Sequence, residues 1–400
     1  MQKPLLSKAA AQLARGLDRA FNNTALNPPR SFLRSHAESL GHEARMRSLR
    51  ALATFYDRPE FLTQYNACFP KPGPIAPRVI RVRGFGAGGE VLDLHWPSEF
   101  EPLWSNAGLA ARLDGVGSAV DEHARLSDLA NARELARELG FDRKAELREK
   151  YLRLTKNRTA RARWFRHNDG LRPCVVLIHG YMGGSYVVEE RVWQVKRLFQ
   201  SGLDVVLTVL PFHGLRRSEK RGYLPPSFPS SDPRFTIEGY RQLVMDHRAL
   251  FDYLRDGRVS GLGLMGMSLG GNAAALLATL ENDLRFLVLY VPLASIEEFA
   301  YRHGRMVGSP QEQAAQRDAL IVAQRVISPM SRPPLVSGDR VIVVAGESDL
   351  VTGVGDAKRM AAHFGAELSL FEGGHLLHFG RERAFAPVWR LLQQCAEVSP

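Results

Sequence analysis

The chain has 400 residues with 45% hydrophobic content, which is enough for a large buried core with additions to one main domain. Its three cysteines, Cys68, Cys174 and Cys395, are odd in number, widely spaced and without a C-x-x-C pair, so neither a disulfide framework nor a zinc site is indicated. The formal charge of +11 favours anionic partners, but a solvated arginine-rich surface also explains it, and we rank that interpretation first.

The hydropathy pattern bears on the compartment of the protein. No apolar run reaches the length of a membrane span, and the amino terminus lacks the continuous apolar core of a secretory signal. The scattered cysteines favour a reducing compartment. We therefore expect a soluble, cytoplasmic protein.

Residues 1–74 are predicted to form an N-terminal helical extension. Leu13 and Leu17 recur with several alanines at the spacing of one helix face, and basic side chains occupy the other faces. Such a helix suits the surface of an anionic membrane, but an ordinary surface helix has the same pattern, and we favour packing against the rest of the chain. The proline-rich residues 70–77 predict a stiff linker, which places the boundary to a second domain, residues 75–400.

The second domain begins with residues 78–85 and 90–96, whose alternating pattern and glycine turn predict an antiparallel pair of strands. Residues from about 106 to 154 are rich in Ala, Leu, Glu and Arg and predict a helical insertion, after which residues 159–167 resume a strand. The segment of about 294–338 is too long for a simple connection and contains helical patterns, so it predicts a second insertion.

The remaining strands are short apolar runs separated by helical patterns. These runs are 174–178, 204–210, 259–265, 286–291, 340–346 and 368–371. Runs of this length bounded by turn residues are typical of buried strands, and the helix predicted over residues 237–255 lies between two of them. We predict an α/β fold with a mostly parallel central sheet and helices on both faces.

A G-x-S-x-G pattern surrounds Ser268, between an apolar strand and helix-forming residues. The chain must reverse sharply at Ser268 in a strained conformation, so Gly266 and Gly270 are needed where side chains would have no room. Ser268 would then stand at the amino end of the next helix, where backbone N–H groups and the helix dipole favour negative charge. The spacing alone also fits an ordinary strand-to-helix turn, so a nucleophilic role needs support from other residues.

Three other segments supply that support. The strand 174–178 continues into the glycine-rich residues 179–184, where a backbone N–H can face a developing oxyanion. Asp349 follows the next-to-last strand and His375 follows the last one. Because the carboxyl ends of parallel strands meet at one edge of a sheet, we expect both side chains to lie near Ser268.

The chemistry of a serine nucleophile sets the roles of these residues. The hydroxyl needs a base to take its proton, and the base needs a carboxylate to hold its tautomer. We prefer His375 over His378 as the base, because two glycines let its loop approach the serine closely and His378 falls where a terminal helix should begin. Glu347 and Asp349 are both candidates for the acid. His179 and His363 are more easily interpreted as structural. His213 could contact substrate from the end of its strand, but binding to neighbouring backbone is more common for a loop histidine.

In these motifs and their chain order the sequence resembles the α/β-hydrolase superfamily. The resemblance covers roughly residues 75–400 as an order of elements, and its motifs occupy four short stretches. Residues 179–184, which read HGYMGG, look more similar to serine esterases and dienelactone-hydrolase-like enzymes than to lipases with His-Gly-Gly-Gly. The resemblance implies the α/β-hydrolase fold, with the insertion of about 294–338 as a cap over the site. Phe299 and Met306 of this cap would be candidates for lining the acyl pocket, but we favour core packing for either one.

The resemblance also implies the site residues. Ser268, His375 and Asp349 would form a Ser-His-Asp triad. Asp349 is favoured over Glu347, because the acid of the family follows a short turn after its strand and residues 346–349 supply one. The oxyanion hole would consist of backbone N–H groups of Leu269 and of Tyr181 or Met182. No cofactor and no metal is expected.

We therefore predict a serine hydrolase that cleaves a carboxylic ester of a small molecule or lipid, or a thioester, through an acyl-enzyme intermediate. One alternative is a membrane-surface phospholipase or lysophospholipase recruited by its N-terminal helices. Another is a non-catalytic binding protein of the same fold, against which the complete Ser, His and Asp set argues. A nucleic-acid role rests on charge alone and is not expected. The sequence does not determine the oligomeric state.

Overall fold

The computed structural model describes residues 5–26, 41–104, 147, 151, 153–218 and 226–397. The insertion predicted over about residues 106–154 lies largely outside these described residues. The proline-rich residues 70–77 form neither helix nor strand, as predicted.

The strands of the described residues form one nine-stranded sheet, in the spatial order β1-β2-β3-β5-β4-β6-β7-β8-β9. Their bounds are β1 Arg78–Phe85, β2 Gly89–Pro97, β3 Thr159–His167, β4 Pro173–Ile178, β5 Asp204–Thr208, β6 Gly261–Met267, β7 Leu284–Tyr290, β8 Val341–Gly346 and β9 Glu367–Phe371. The first three strands and β5 pair antiparallel, and β5, β4 and β6 to β9 pair parallel. The predicted antiparallel start and parallel remainder of the sheet are confirmed.

The helices cover both faces of this sheet. Their bounds are α1 Leu5–Phe21, α2 His42–Tyr56, α3 Pro59–Thr63, α4 Tyr186–Val192, α5 Val195–Gln200, α6 Pro233–Arg255, α7 Leu269–Leu277, α8 Ile296–Arg302, α9 Pro310–Ala323, α10 Gly353–Phe364, α11 Arg381–Ala384 and α12 Ala386–Glu397. Among the described residues, no helix has the length and apolarity needed to cross a membrane.

Strand β4 shows how the sheet is buried. Val175 and Leu177 belong to the core on one face, which includes Leu198 of α5 and Leu392 of α12. The alternate residues of the strand belong to the core on the other face, together with α6 and α7. Because successive side chains of a strand point to opposite faces, an unbroken apolar run fits this position, as the sequence predicted.

Helix α6 begins earlier than predicted. The sequence predicted this helix from residue 237, but it begins at Pro233. The side chain of Asp232 accepts a hydrogen bond from the Arg234 N–H and caps the first turn, and a proline suits the first helical position because its missing N–H would have no partner there.

Helix α1 packs through a different face from the one predicted. Its buried residues include Ala14 and Asp18, whereas Leu13 and Leu17 of the predicted apolar face are 59% and 42% exposed. Residues at i and i+4 share a helix face, so the docked face is the one that carries the carboxylate. Helix α2 packs against α9 of the insertion after β7.

Candidate active site

The turn between β6 and α7 holds Ser268 in a strained conformation, with φ of 55° and ψ of −116°. A side chain at Gly266 would place its Cβ 2.2 Å from the Gly270 carbonyl oxygen, and one at Gly270 would place its Cβ 2.1 Å from the Ile178 carbonyl oxygen. Both glycines are therefore required by close backbone contacts, as predicted from the pattern. The hydroxyl of Ser268 lies at the amino end of α7.

The imidazole of His375 links the ends of three strands. Its Nε2 lies 3.0 Å from Ser268 Oγ, and its Nδ1 lies 2.9 Å from Asp349 Oδ2. With the proton on Nδ1, the ring donates a hydrogen bond to the carboxylate, and Nε2 accepts one from the serine hydroxyl. The three side chains singled out from the sequence are thus brought together in one hydrogen-bonded series.

Asp349 is held as a carboxylate inside the protein. Its Oδ1 accepts hydrogen bonds from the N–H groups of Val351 at 2.8 Å and Thr352 at 3.0 Å, and its Oδ2 accepts one from the Thr352 hydroxyl at 2.8 Å. Burial alone would raise the pKa of Asp349, but the charge of His375 and these hydrogen bonds lower the pKa to about 2.

The same pairing acts on the base. Burial alone would lower the pKa of His375, but the charge of Asp349 and the hydrogen bond to it outweigh burial, and the pKa is raised above its ordinary value. Asp349 therefore favours the imidazolium form that a proton transfer from Ser268 would produce.

The alternative candidates for base and acid, His378 and Glu347, do not contact Ser268 and His375 in these roles. His378 donates a hydrogen bond from Nε2 to the His375 carbonyl oxygen at 2.6 Å, so it supports the loop that carries His375. Burial lowers the pKa of His378 to about 4. The Glu347 side chain is exposed. In this geometry Asp349, and not Glu347, faces the imidazole.

Two of the remaining histidines bind the main chain. His179 donates from Nδ1 to the Gly180 carbonyl oxygen at 2.7 Å, and its Nε2 accepts a hydrogen bond from the Leu210 N–H at 3.1 Å. His213 is fully buried, and its Nδ1 lies 2.9 Å from the Pro211 carbonyl oxygen. Burial lowers the pKa of both histidines. These contacts fit the structural interpretation of both residues.

The loop after β4 passes directly beside the serine. A Cβ at Gly180 would lie 3.3 Å from Ser268 Cβ, and the Gly183 N–H donates to the Gly180 carbonyl oxygen at 3.1 Å, which closes a turn around Tyr181 and Met182. Met182 adopts a φ of 70° in this turn. The pairing of β4 with β6, with Ile178 opposite Gly266, fixes the loop next to the serine.

On the other side of Ser268, Leu269 is the first residue of α7. N–H groups in the first turn of a helix have no partner within the helix, and the positive end of the helix dipole lies there. An anionic oxygen at Ser268 would therefore meet a favourable potential.

A cavity of about 520 Å³ lies beside Ser268 and His375. The insertion after β7 contributes Phe299 and Met306 to its wall, although the sequence favoured core packing for each of them. The N-terminal segment contributes Phe21 and Leu49. The wall also includes three charged side chains, Arg45, Glu297 and Arg305.

Sequence reasoning missed two residues of this site. Thr352 Oγ1 lies 2.8 Å from Asp349 Oδ2 and 3.3 Å from His375 Nδ1. Asp18 of α1 accepts hydrogen bonds from backbone N–H groups on both sides of the site. A signal for Asp18 was present, because it is the one acidic residue in the α1 sequence, and it stands among basic and apolar residues.

Sequence comparison finds relatives of part of the chain. No protein-family model matches the chain. Two uncharacterized proteins from two strains of Mycobacterium tuberculosis are 32% identical over 259 residues, which is 63% of this chain and 60% of their own length. The match thus spans less than two thirds of those relatives.

Solved structures give a wider match. An acetyl xylan esterase from a Thermoanaerobacterium species is 14% identical, with a TM-score of 0.52 over 86% of this chain and 98% of that one. An acetyl xylan esterase from a Paenibacillus species is 13% identical, with a TM-score of 0.50 over 87% and 92%. The chain has the α/β-hydrolase fold. The fold predicted from the motifs is therefore confirmed. Ser268 directly follows β6, and the connections that leave β6 and its neighbour β4 run in opposite directions along the sheet.

The close approach at the turn yields a stability prediction. Gly270→Ala is expected to lower the free energy of unfolding by about 1–3 kcal/mol, because the added methyl group meets the backbone of residue 178. Chemical denaturation measures this change. Gly355→Ala is the matched control, since nothing lies within 4 Å of its added Cβ, and it should leave stability unchanged or raise it by up to about 1 kcal/mol. Parent-like stability of Gly270→Ala would contradict the close contact.

Proposed function

We propose that the protein is a serine hydrolase that cleaves carboxylic esters through an acyl-enzyme intermediate. The observation that carries the proposal is the series of hydrogen-bond distances through His375, 3.0 Å to Ser268 Oγ and 2.9 Å to Asp349 Oδ2, beside a cavity. An isolated strand-to-helix turn does not explain why an imidazole and a buried carboxylate converge on the hydroxyl. The two fold neighbours named above are esterases, which accords with this reaction class.

The first half of the reaction forms the acyl-enzyme. Ser268 Oγ attacks the ester carbonyl carbon while its proton passes to His375 Nε2, and Asp349 stabilises the imidazolium through Nδ1. The C–O bond to the leaving group then breaks, and His375 returns the proton to the departing alkoxide. In the second half, water attacks the acyl carbon while its proton passes to His375. The bond between the acyl carbon and Ser268 Oγ then breaks, His375 returns the proton to Ser268, and the carboxylic acid leaves.

The negative charge on the carbonyl oxygen needs donors at the moment of attack. We assign this role to the backbone N–H groups of Leu269 and of Tyr181 or Met182, because the first turn of α7 and the loop after β4 flank Ser268. Each such donor contributes on the order of 3 kcal/mol to transition-state stabilisation.

The cavity indicates the kind of ester. Its wall combines apolar side chains from the insertion after β7 with apolar side chains from the N-terminal segment, such as Phe299 and Phe21. Apolar walls favour an apolar acyl or alcohol group, because its burial releases water from both surfaces.

The nucleophile is tested with an active-site-directed fluorophosphonate. Ser268 should be labelled, and Ser268→Ala should abolish labelling and lower kcat on an activated soluble ester by about 1,000-fold or more. Ser337→Ala, which removes an exposed hydroxyl, is the control and should keep parent labelling and kcat. Labelling of the Ser268→Ala protein, or persistent esterase activity in it, would reject the proposal.

The pairing with Asp349 sets the pH dependence. His375 acts as a base only when neutral, and its pKa is raised, so kcat/KM should fall as pH drops through a midpoint above about 6.5. Asp349→Asn removes the charge that raises this pKa, so burial should move the midpoint to lower pH, and loss of the correct tautomer should lower kcat on the order of 1,000- to 10,000-fold. Kinetics across pH measure both effects.

The control for this variant is Glu347→Gln, which changes the competing acid of the same turn. It should keep the parent kcat and the parent midpoint, because the Glu347 side chain is exposed. A larger loss in Glu347→Gln than in Asp349→Asn would transfer the acid role to Glu347.

A second candidate function is hydrolysis of lipid esters at a membrane surface. Leu13 and Leu17 of α1 are exposed. Leu350 and Leu376 are also exposed and lie next to α1, because their N–H groups donate hydrogen bonds to Asp18 of that helix. The exposed side chains of α1 also include Lys8, Arg15 and Arg19. Exposed leucines bordered by basic residues beside a cavity suit an anionic membrane surface.

Vesicles test this candidate. The double variant Leu13→Gln/Leu17→Gln should lose co-sedimentation with phosphatidylserine-containing vesicles and lose phospholipid hydrolysis, while kcat on a short soluble ester stays near the parent value. Leu171→Gln is the control, since Leu171 is 54% exposed and lies at the amino end of β4, away from the site. Equal vesicle binding by the parent and the double variant would reject membrane binding through the exposed leucines of α1.

A further inference from the structure

A carboxylate from the N-terminal helix α1 lies inside the site. Asp18 is fully buried, and its Oδ2 accepts hydrogen bonds from the His375 N–H at 2.9 Å and the Leu350 N–H at 3.0 Å. Its Oδ1 accepts one from the Leu376 N–H at 3.1 Å. One side chain therefore binds the loop that carries His375 and the turn that carries Asp349.

The loop fits closely around this carboxylate. A Cβ at Gly374 would lie 2.8 Å from Asp18 Oδ2 and 3.1 Å from Ala14 Cβ, so the residue before His375 has no room for a side chain against α1. Hydrogen bonds from backbone N–H groups to a buried carboxylate are stronger than those between neutral groups, and an ionised carboxylate can only accept. The main chain on either side of the imidazole is thus fixed from a helix more than 300 residues away in sequence.

Asp18 also acts on the imidazole through its charge. Burial, the largest influence, lowers the pKa of His375, and the charge of Asp349 and the hydrogen bond to it raise it. The charge of Asp18 raises the same pKa by a smaller amount than Asp349 does. Among the described residues, other titratable or charged groups near the imidazole, its loop and the adjoining cavity include His378, Arg381, Arg45, Glu297 and Arg305. Removal of a negative charge at position 18 would make the imidazolium less favourable.

We propose that Asp18 is a positioning residue, which holds His375 and Asp349 in register through the main chain and makes α1 an integral part of the site. This inference rests on the proposed function for its kinetic readouts. Asp18 contacts backbone N–H groups and not the ring nitrogens, so it takes no proton in the reaction. Its effect appears in how often the imidazole lies within hydrogen-bonding reach of both partners, and hence in kcat.

The principal variant is Asp18→Asn, which keeps the size of the side chain. An amide offers one oxygen where the carboxylate offers two, and its NH₂ group would face a backbone N–H, so at least one of the three hydrogen bonds is lost. We expect kcat on a soluble ester to fall about 10- to 100-fold with little change in KM. The acid limb of kcat/KM should move to lower pH.

Two further variants separate positioning from general stability. Asp18→Glu keeps the charge but lengthens the side chain, so its acid limb should stay nearer the parent position than that of Asp18→Asn, with an intermediate kcat. Glu43→Gln is the control, because it removes an acid that is 90% exposed from the same N-terminal segment, and it should match the parent in every readout. Circular dichroism confirms folding before kinetics.

A proton NMR titration of the His375 imidazole tests the effect of Asp18 on its protonation without any need for turnover. The midpoint should move to lower pH in Asp18→Asn, with the resonance assigned by its absence in His375→Gln. If the parent protein hydrolyses no ester and Ser268 is not labelled, the proposed function fails while this titration still tests Asp18. Parent-like kcat and parent-like titration in Asp18→Asn, or a loss confined to KM, would overturn the inference.

Discussion

The geometry of the site depends on one imidazole with hydrogen-bond partners on both of its nitrogens. His375 lies 3.0 Å from Ser268 Oγ and 2.9 Å from Asp349 Oδ2, so the ends of β6, β8 and β9 must reach a common point. An error of one ångström at any strand end would break the series, and the order of the strands in the sheet is therefore a condition of the chemistry. The strained φ of 55° at Ser268 is part of the same condition, because it turns the hydroxyl toward the ring.

Much of this arrangement could be predicted because it depends on local sequence. A strand buried on both faces must be apolar throughout, so β4 and β8 stand out from their surroundings. The glycines at 266 and 270 have a local cause as well, since each lies within contact distance of backbone. Once the strands are placed, the rule that sites form at carboxyl ends selects Ser268, Asp349 and His375 from many polar residues.

The parts that the sequence did not predict depend on distant contacts. The docked face of α1 was placed wrongly, because periodicity favours the leucine face, whereas the structure buries Ala14 and Asp18 and leaves Leu13 and Leu17 exposed. A carboxylate that binds backbone N–H groups leaves no spacing pattern, since any residue except proline can donate. Thr352 escaped notice for a similar reason, because a threonine after a turn is commonplace and its contact with Asp349 arises only in the folded loop.

Through these distant contacts the N-terminal segment belongs to the site itself and is not only packed against its surface. Burial of the Asp18 charge is costly unless donors meet it, and the donors are the N–H groups that flank the imidazole. The dependence is mutual, because without α1 those N–H groups would lose their acceptor. The segment also contributes to the cavity wall, and α2 packs against α9 of the insertion that faces it. The shape of the cavity and the position of the imidazole are therefore coupled through α1, which contributes Phe21 to the wall and Asp18 to the loop that carries His375.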